Sequence, residues 1–386
     1  MPRVKPGLEV MLEQKMEIIR GQRIGLVTNH SAVTGDFTHV VDALLAVGAD
    51  IRALFGPEHG VRGDVADGRE FVSYLDPRTG IQVHSLYGRT RKPTPEMLAG
   101  IDLMLFDIQD VGARFYTYLY TMSYCLQACA QNGTKFVVLD RPNPVNGTAV
   151  EGNILDTGFA SFVGLHPIPI RHGFTVGEAA QFFNGELGFG ADLEVVPCQG
   201  WKRAMYYDET GLPWIMPSPN LPTMDAAVLY TGLCYMEGTN VSEARGTSKP
   251  FEMVGAPFID GYKLADRLNS LELPGVRFRP TSFYPSLSKH KEAQCFGVQA
   301  HVTDRGKLQT VPLGLHLVKA LRDLFPKDFQ FRAPGASGKR YFDLLLGTDK
   351  VREGIESGAS VEEIMLPWRS GLEEFMVKRR PYLLYM

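Results

Sequence analysis

Cysteine is scarce in this chain and never paired: there are five in 386 residues, none in a CxxC spacing. An odd, scattered set argues against a disulfide framework and against a structural zinc site, so reduced, buried thiols are the expectation. Runs of one charge are missing too. The formal net charge is -3 and no long Lys/Arg run occurs, which leaves no electrostatic footprint for a polyanion; nucleic acid is not an expected partner. No stretch of about 18 apolar residues suits a bilayer. The opening "MPRVKPGLEVMLEQKMEIIRGQR" mixes acids and bases and lacks the apolar core of a secretory signal. That reads as a cytoplasmic protein, or as a periplasmic or secreted one if a leader has been trimmed.

Cofactor motifs are also absent. No GxGxxG opens a helix after a strand, because the first apolar run leads into "TNHSAVTGD", so dinucleotide binding is poorly supported. A GxxxxGK[ST] phosphate loop is missing, and no HExxH or paired-histidine spacing suggests catalytic zinc. Neither a metal nor a cofactor is expected.

What is present is an ordinary globular composition, 44% apolar and 22% charged. The length exceeds the roughly 250 to 300 residues at which one hydrophobic core stops growing, which predicts two domains and a cleft. Short apolar runs ("RIGLVTN", "DIRALFG", "IQVHSLYG", "IDLMLFDIQ", "KFVVLD") alternate with helical patterns ("FTHVVDALLAVG", "PTPEMLAG", "YTYLYTMSYCLQACAQNG"). Such alternation describes βαβ units and an α/β fold with a parallel sheet. Gly48, Gly100 and Gly133 sit where a helix wants a left-handed terminal residue. A capping box from Thr175 to Glu178 opens a further helix in "FTVGEAAQFFNGELG", and "LEVVPC" continues the strand pattern. The first domain therefore extends over residues 1–230. Residues 231–386 read as a smaller α+β domain, with helices at "DGYKLADRLNS" and "VPLGLHLVKALRDLF" and strands at "VRFRPTSF" and "AQCFGVQAHVTD".

Ligands of an open parallel sheet bind outside the carboxyl ends of its strands. Those ends deliver Asn29 and His30, then Glu58 and His59, then Tyr87. Asp107, Gln109, Asp110 and Arg114 follow the next strand, and Asp140, Arg141, Asn143 and Asn146 the one after. Singly each could serve its own turn; five loops converging on one edge predict a functional cleft. One loop, "LFGPEHGVRGDVADG" (54–68), concentrates Glu58, His59, Arg62, Asp64 and Asp67. A strand ending in "FDIQD" has the look of a phosphatase aspartyl nucleophile, yet Gln109 stands where its second acid should be.

The strings "GLVTNHSAVT", "LFGPEHGVRGD", "DLMLFDIQDVGARFYTYLYTM", "VLDRPNPVNG", "MPSPNLPT", "EGTNVSEARGT" and "PFEMVGAPFID" resemble the NamZ-type exo-β-N-acetylmuramidases, glycoside hydrolases long catalogued as a domain of unknown function. The similarity runs from about residue 7 to the "YLLY" near the C-terminus. It implies a Rossmann-like N-terminal domain without nucleotide, a smaller C-terminal domain and an active site between them. The implied reaction is release of terminal N-acetylmuramic acid from the non-reducing end of peptidoglycan fragments, as in cell-wall recycling. The family's proposed catalytic glutamate falls in GPEHG, which is Glu58 here.

Glycoside hydrolysis also suits the loop chemically. A carboxylic acid must protonate the leaving oxygen, which favours a site after an apolar strand with other acids nearby, and Glu58 is the expected general acid. Asp110, Asp107, Glu151 and Glu243 compete for the second carboxylate, unless the N-acetyl group supplies its own oxygen; Asp110 and His59 complete the expected catalytic set. The lactyl carboxylate wants guanidinium partners, and Arg62, Arg114, Arg141, Arg171 and Arg245 lie in motif loops. Asn29, Asn143, Asn220 and Asn240 suit sugar hydroxyls and the acetamide. His30, Asp64, Gln109, Tyr116, Glu237 and Glu243 complete the expected binding set, while His172 could orient carboxylates. Two other readings remain: a muropeptide-binding protein without turnover, and a metal-dependent phosphatase. The oligomeric state is unspecified.

Overall fold

The computed structural model describes residues 3–65 and 72–386. Seven strands form the main sheet: β1 (Arg23–Thr28), β2 (Asp50–Gly56), β3 (Tyr74–Leu75), β4 (Gln82–Ser85), β5 (Leu103–Asp107), β6 (Lys135–Leu139) and β7 (Leu193–Val196). Their order is β3-β4-β2-β1-β5-β6-β7. All neighbouring pairs are parallel except β3 with β4. The chain starts in the middle, winds outward through β2 to β4, then returns beside β1 and proceeds the other way. Loops leaving β1 and β5 therefore diverge and open a crevice at the strands' carboxyl ends.

Helices cover both faces because successive strand residues point to opposite sides. Leu103 and Leu105 enter one core with Leu26, Leu54 and residues of helices Gly7–Gln14 and Val40–Ala46. Met104 and Phe106 enter the other with Phe55, Phe136 and residues of helices Tyr118–Asn132 and Val176–Glu186. The six apolar runs of the sequence are β1, β2 and β4–β7. Two-residue β3 carries no pattern that could have announced it. Gly133 ends helix Tyr118–Asn132 at φ +67°, and Thr175 and Glu178 form both halves of the capping box.

A second, antiparallel sheet follows, β8 (Met253–Ala256), β9 (Val276–Phe283) and β10 (Cys295–Val302), in the order β8-β10-β9. Helix Gly261–Asn269 packs on it, and helix Thr310–Leu324 packs on that helix. Residue 230, where the sequence pattern changes, falls inside helix Met224–Leu233. That helix crosses Thr310–Leu324 in backbone contact: a Cβ at Gly232 would run into the Thr310 carbonyl, and one at Gly314 into the Gly232 carbonyl. One apolar core runs through the crossing, from Phe106 and Leu229 to Val254, Val298 and Leu317.

The C-terminus then returns to the first sheet. Tyr385 donates its hydroxyl to Asp140 Oδ2 at 2.5 Å, and the Leu384 amide donates to Glu178 Oε1 at 2.8 Å. Among the described residues, no helix is long and apolar enough to cross a membrane.

Candidate active site

β2 ends in Gly56 and delivers Pro57, Glu58 and His59 into a tight turn. His59 itself is left-handed, at φ +73°, an unusual state for a side chain bearing a Cβ. Its Nδ1 lies 3.2 Å from the Val65 carbonyl, which closes the loop on itself. At Gly63, φ is +75° and an added Cβ would stand 2.6 Å from the His30 ring, so the loop is packed down onto the β1 turn. Glu58 is left facing a cavity of about 560 Å³. Thr117, at the start of helix Tyr118–Asn132, donates to Glu58 Oε2 at 3.1 Å. The Tyr118 hydroxyl donates to the Pro217 carbonyl at 2.8 Å and lies 3.4 Å from the Glu58 carbonyl.

An aromatic wall continues from there. Tyr116 meets Tyr230 edge-on at 5.9 Å, and Tyr230 meets Phe115 at 5.2 Å and Phe251 at 4.9 Å. The far wall is ionic and comes from the C-terminal segments. Arg245 binds Glu237 Oε1 at 2.7 Å and Glu243 Oε1 at 3.2 Å, and Lys289 Nζ stands 2.8 Å from Glu243 Oε2. Lys289 also donates to the carbonyls of Met236 at 2.6 Å and Val241 at 2.5 Å. The Tyr341 hydroxyl donates to Glu237 Oε2 at 3.4 Å. Burial raises the Glu237 carboxyl, with Arg245 opposing it, and burial lowers the Lys289 ammonium, with Glu243 opposing it. Both shifts are those of ions moved out of water and paired.

Of the residues expected from sequence, Glu58, His59, Tyr87, Tyr116, Asn220, Glu237, Glu243 and Arg245 line this cavity. The others do not. Arg62 is bound to Asp76 at 2.8 Å, and Arg141 to Asp107 at 2.5 Å. Arg171 pairs with Glu151 at 2.7 Å, and Arg114 donates to the carbonyls of Asn153 and Ile168 at 2.6 and 2.9 Å. Asn29 holds Ser31, Asn143 binds the Phe174 carbonyl, Asn240 binds the Asp328 carbonyl, and Gln109 bonds the carbonyls of Asp110 and Pro142. His30 contacts the Met216 carbonyl at 2.7 Å, and Asp64 is exposed and not part of the cavity lining. Asp67 lies outside the described residues. Asp110 is buried off the cavity and accepts from the Gly112 amide at 2.7 Å; burial pushes its carboxyl up to about 7. His172, 3.9 Å from Asp110, is fully buried.

The reason is common to all of these. Loops rich in Pro and Gly cannot satisfy their own backbone groups once packed, so most polar residues at the strand ends tie loops together. The Asp107–Arg141 pair also disposes of the phosphatase resemblance: the would-be nucleophile is fully buried and held by a cation. Among the described residues, no group of three or more His, Cys, Asp and Glu could hold a metal ion. Sequence reasoning missed Arg91, Thr117, Tyr230, Lys289, Arg332 and Tyr341, all of which line the cavity. Thr117 neighbours Tyr116 in the string "FYTYLYTM", whereas Lys289 and Arg332 carry no local signal.

The comparisons agree with this architecture. The family model described as "Exo-beta-N-acetylmuramidase NamZ, N-terminal" matches residues 24–225, and its C-terminal counterpart matches residues 228–385. The chain is 50% identical over all 386 residues, covering 92% of the relative, to the peptidoglycan β-N-acetylmuramidase NamZ of Bacillus subtilis (strain 168). Two crystal structures of DUF1343 family proteins from Bacteroides fragilis NCTC 9343 align over 100% of this chain and 99% of theirs. Their TM-scores are 0.92 at 38% identity and 0.80 at 34% identity. Matched by both halves of the family model in order along its length, the chain belongs to the exo-β-N-acetylmuramidase NamZ family.

Proposed function

We propose that this protein is an exo-acting β-N-acetylmuramidase, a glycoside hydrolase that removes terminal non-reducing N-acetylmuramic acid from peptidoglycan fragments, with Glu58 as its general acid. Residues 1–230 supply the acid, and residues 231–386 close the cleft over the sugar. The observation that carries the reading is the position of Glu58, at the end of a central strand, on the cavity wall and held through Oε2 by Thr117. In that place its carboxyl proton can pass to the glycosidic oxygen as the C1–O bond breaks, and water completes the hydrolysis. His59 keeps the loop in shape. The aromatic wall of Tyr116, Tyr230 and Phe115 suits the apolar face of a sugar ring.

Lactyl recognition falls to different arginines from those expected. Arg245 and Lys289 are neutralised by Glu237 and Glu243. Arg91 and Arg332 are lining cations bound to no carboxylate among the described residues, and each guanidinium is stacked on a ring, Phe162 at 4.1 Å and Tyr341 at 5.9 Å. Stacked guanidiniums open to the cavity are suited to a carboxylate. Cytoplasmic action on imported fragments is the compartment we favour.

The test compares wild type with Glu58→Gln, EDTA present, on a muramyl-glucosaminide disaccharide and on 4-nitrophenyl β-N-acetylmuramide, with the nitrophenyl glucosaminide as control. An acid matters most where the leaving group needs the proton. The variant should lose about 10³-fold on the disaccharide and far less on the nitrophenyl muramide. Equal losses on both would remove the acid role, and no wild-type turnover of either muramide would remove the activity.

A further inference from the structure

Exo action needs a mark that tells a chain end from a chain interior. On a terminal N-acetylmuramic acid C1 carries the scissile oxygen, C2 the acetamide and C3 the lactyl ether, so hydroxyls remain only at C4 and C6. The C4 oxygen is a hydroxyl only at the non-reducing end; inside a glycan strand it bridges to the next sugar and has no proton to give. A group that accepts from the C4 hydroxyl therefore separates the two.

The row of rings along the cavity fixes where such a group must stand. Tyr116, next to the Thr117 that holds Glu58, meets Tyr230 at 5.9 Å; Tyr230 meets Phe251 at 4.9 Å, and the Arg245 guanidinium lies 5.3 Å over Phe251. Glu58 and Arg245 thus stand at the two ends of one row. C1 and C4 are opposite corners of a pyranose, so a sugar laid along the row with C1 at Glu58 turns C4 towards Arg245 and its partner Glu237.

Glu237 is built to accept there. It lies in the helical turn Cys234–Gly238, which prolongs the helix carrying Tyr230. Phe342 presses on that turn so closely that a Cβ at Gly238 would stand 2.4 Å from the Phe342 Cα. The Glu237 side chain is 16% exposed and lines the cavity, against 2% for that of Glu243. Its Oε1 takes Arg245 at 2.7 Å and its Oε2 takes the Tyr341 hydroxyl at 3.4 Å, and each carboxylate oxygen has room for a second donor. Arg332, one of the two cations assigned above to the lactyl group on C3, donates to the Glu237 carbonyl at 3.4 Å; C3 is the ring position next to C4. Glu237 and Glu243 balance Arg245 and Lys289, so this wall offers a neutral hydroxyl an acceptor without drawing in the lactyl carboxylate.

We propose that Glu237 accepts the hydrogen bond of the free C4 hydroxyl of the terminal sugar and so confines the enzyme to chain ends. This rests on the muramidase reading above. Arg245 and Tyr341 position the carboxylate. A C4 oxygen already in a glycosidic bond leaves Glu237 without that donor and sets the next sugar against the wall.

The experiment measures kcat/KM for 4-nitrophenyl β-N-acetylmuramide and its 4-deoxy, 4-O-methyl and 6-deoxy analogues, with wild type and Glu237→Gln. Wild type should lose about a hundredfold on the 4-deoxy compound and less than about fivefold on the 6-deoxy compound. The 4-O-methyl compound, which keeps the oxygen without its proton, should fall at least as far as the 4-deoxy one. In Glu237→Gln the parent should be slower and the 4-deoxy penalty should shrink below about tenfold, since a neutral amide holds the hydroxyl less well. Should loss of the Arg245 pairing unfold that variant, Glu237→Asp keeps the charge and draws the carboxylate back, and its 4-deoxy penalty should shrink likewise. A 4-deoxy or 4-O-methyl muramide hydrolysed nearly as fast as the parent, a larger penalty at C6 than at C4, or a 4-deoxy penalty equal in variant and wild type would each overturn the assignment. A wild type unable to hydrolyse the parent muramide would instead overturn the muramidase reading itself, and this role with it.

Discussion

Thr117 donates its hydroxyl to Glu58 Oε2 at 3.1 Å, joining the end of β2 to the first turn of the helix that follows β5. Glu58 is thus fixed by a residue on the other side of the switch in strand order. Thr117→Val keeps the shape and removes the bond. We expect kcat to fall about tenfold with KM little changed, a hydrogen bond to a chargeable group being worth roughly 1.5–3 kcal/mol; steady-state kinetics on the disaccharide would check it.

Half-buried Lys289 stands 2.8 Å from Glu243, which is 1% exposed. Lys289→Met leaves that carboxylate with Arg245 alone and strips Met236 and Val241 carbonyls of a donor. About 3–5 kcal/mol of stability should be lost, read from the denaturant midpoint. Adding Glu243→Gln should recover part of it. If the two losses simply add, the pair is not coupled.

Arg91 and Arg332 should act on affinity and not on chemistry. Arg332→Ala should weaken inhibition by N-acetylmuramic acid about tenfold and leave inhibition by N-acetylglucosamine unchanged, and Arg91→Ala should do the same. Equal weakening of both inhibitors would place the arginines elsewhere on the sugar.

Asp110 gives a pH signature. Burial holds its folded carboxyl up at about 7, against roughly 3.9 in an unfolded chain. Between those values the folded state binds the extra proton, so its contribution is full below about 4 and is lost as pH rises through about 7. Asp110→Asn does not titrate. Its stability relative to wild type should therefore climb between pH 4 and 8, by on the order of 2–4 kcal/mol. A flat difference in melting temperature across that range would show Asp110 ionising normally.

Much of this fold was legible because it is local. Six strands of the main sheet, their crossover helices and the Thr175 capping box follow from apolar period, element length and turn residues. The strand-end rule points to the edge where the cavity lies, and Glu58, His59, Tyr116 and Asn220 line it. The helices after residue 340, three of them of five to seven residues, and two-residue β3 went unmarked, since their stability comes from the surfaces they pack against.

The sequence by itself determined the α/β architecture, the strand-end edge where the cavity opens and the loop that brings Glu58 to it, all set by periodicities and spacings within a few tens of residues. Only the tertiary structure decided which polar groups remain open to a substrate. Asp107 and Arg141 neutralise each other, as do Arg62 and Asp76, while Lys289, Arg332 and Tyr341 arrive from far along the chain to finish the cavity. A polar side chain is available for chemistry only if packing has not already spent its hydrogen bonds, and its partners are chosen by proximity in space.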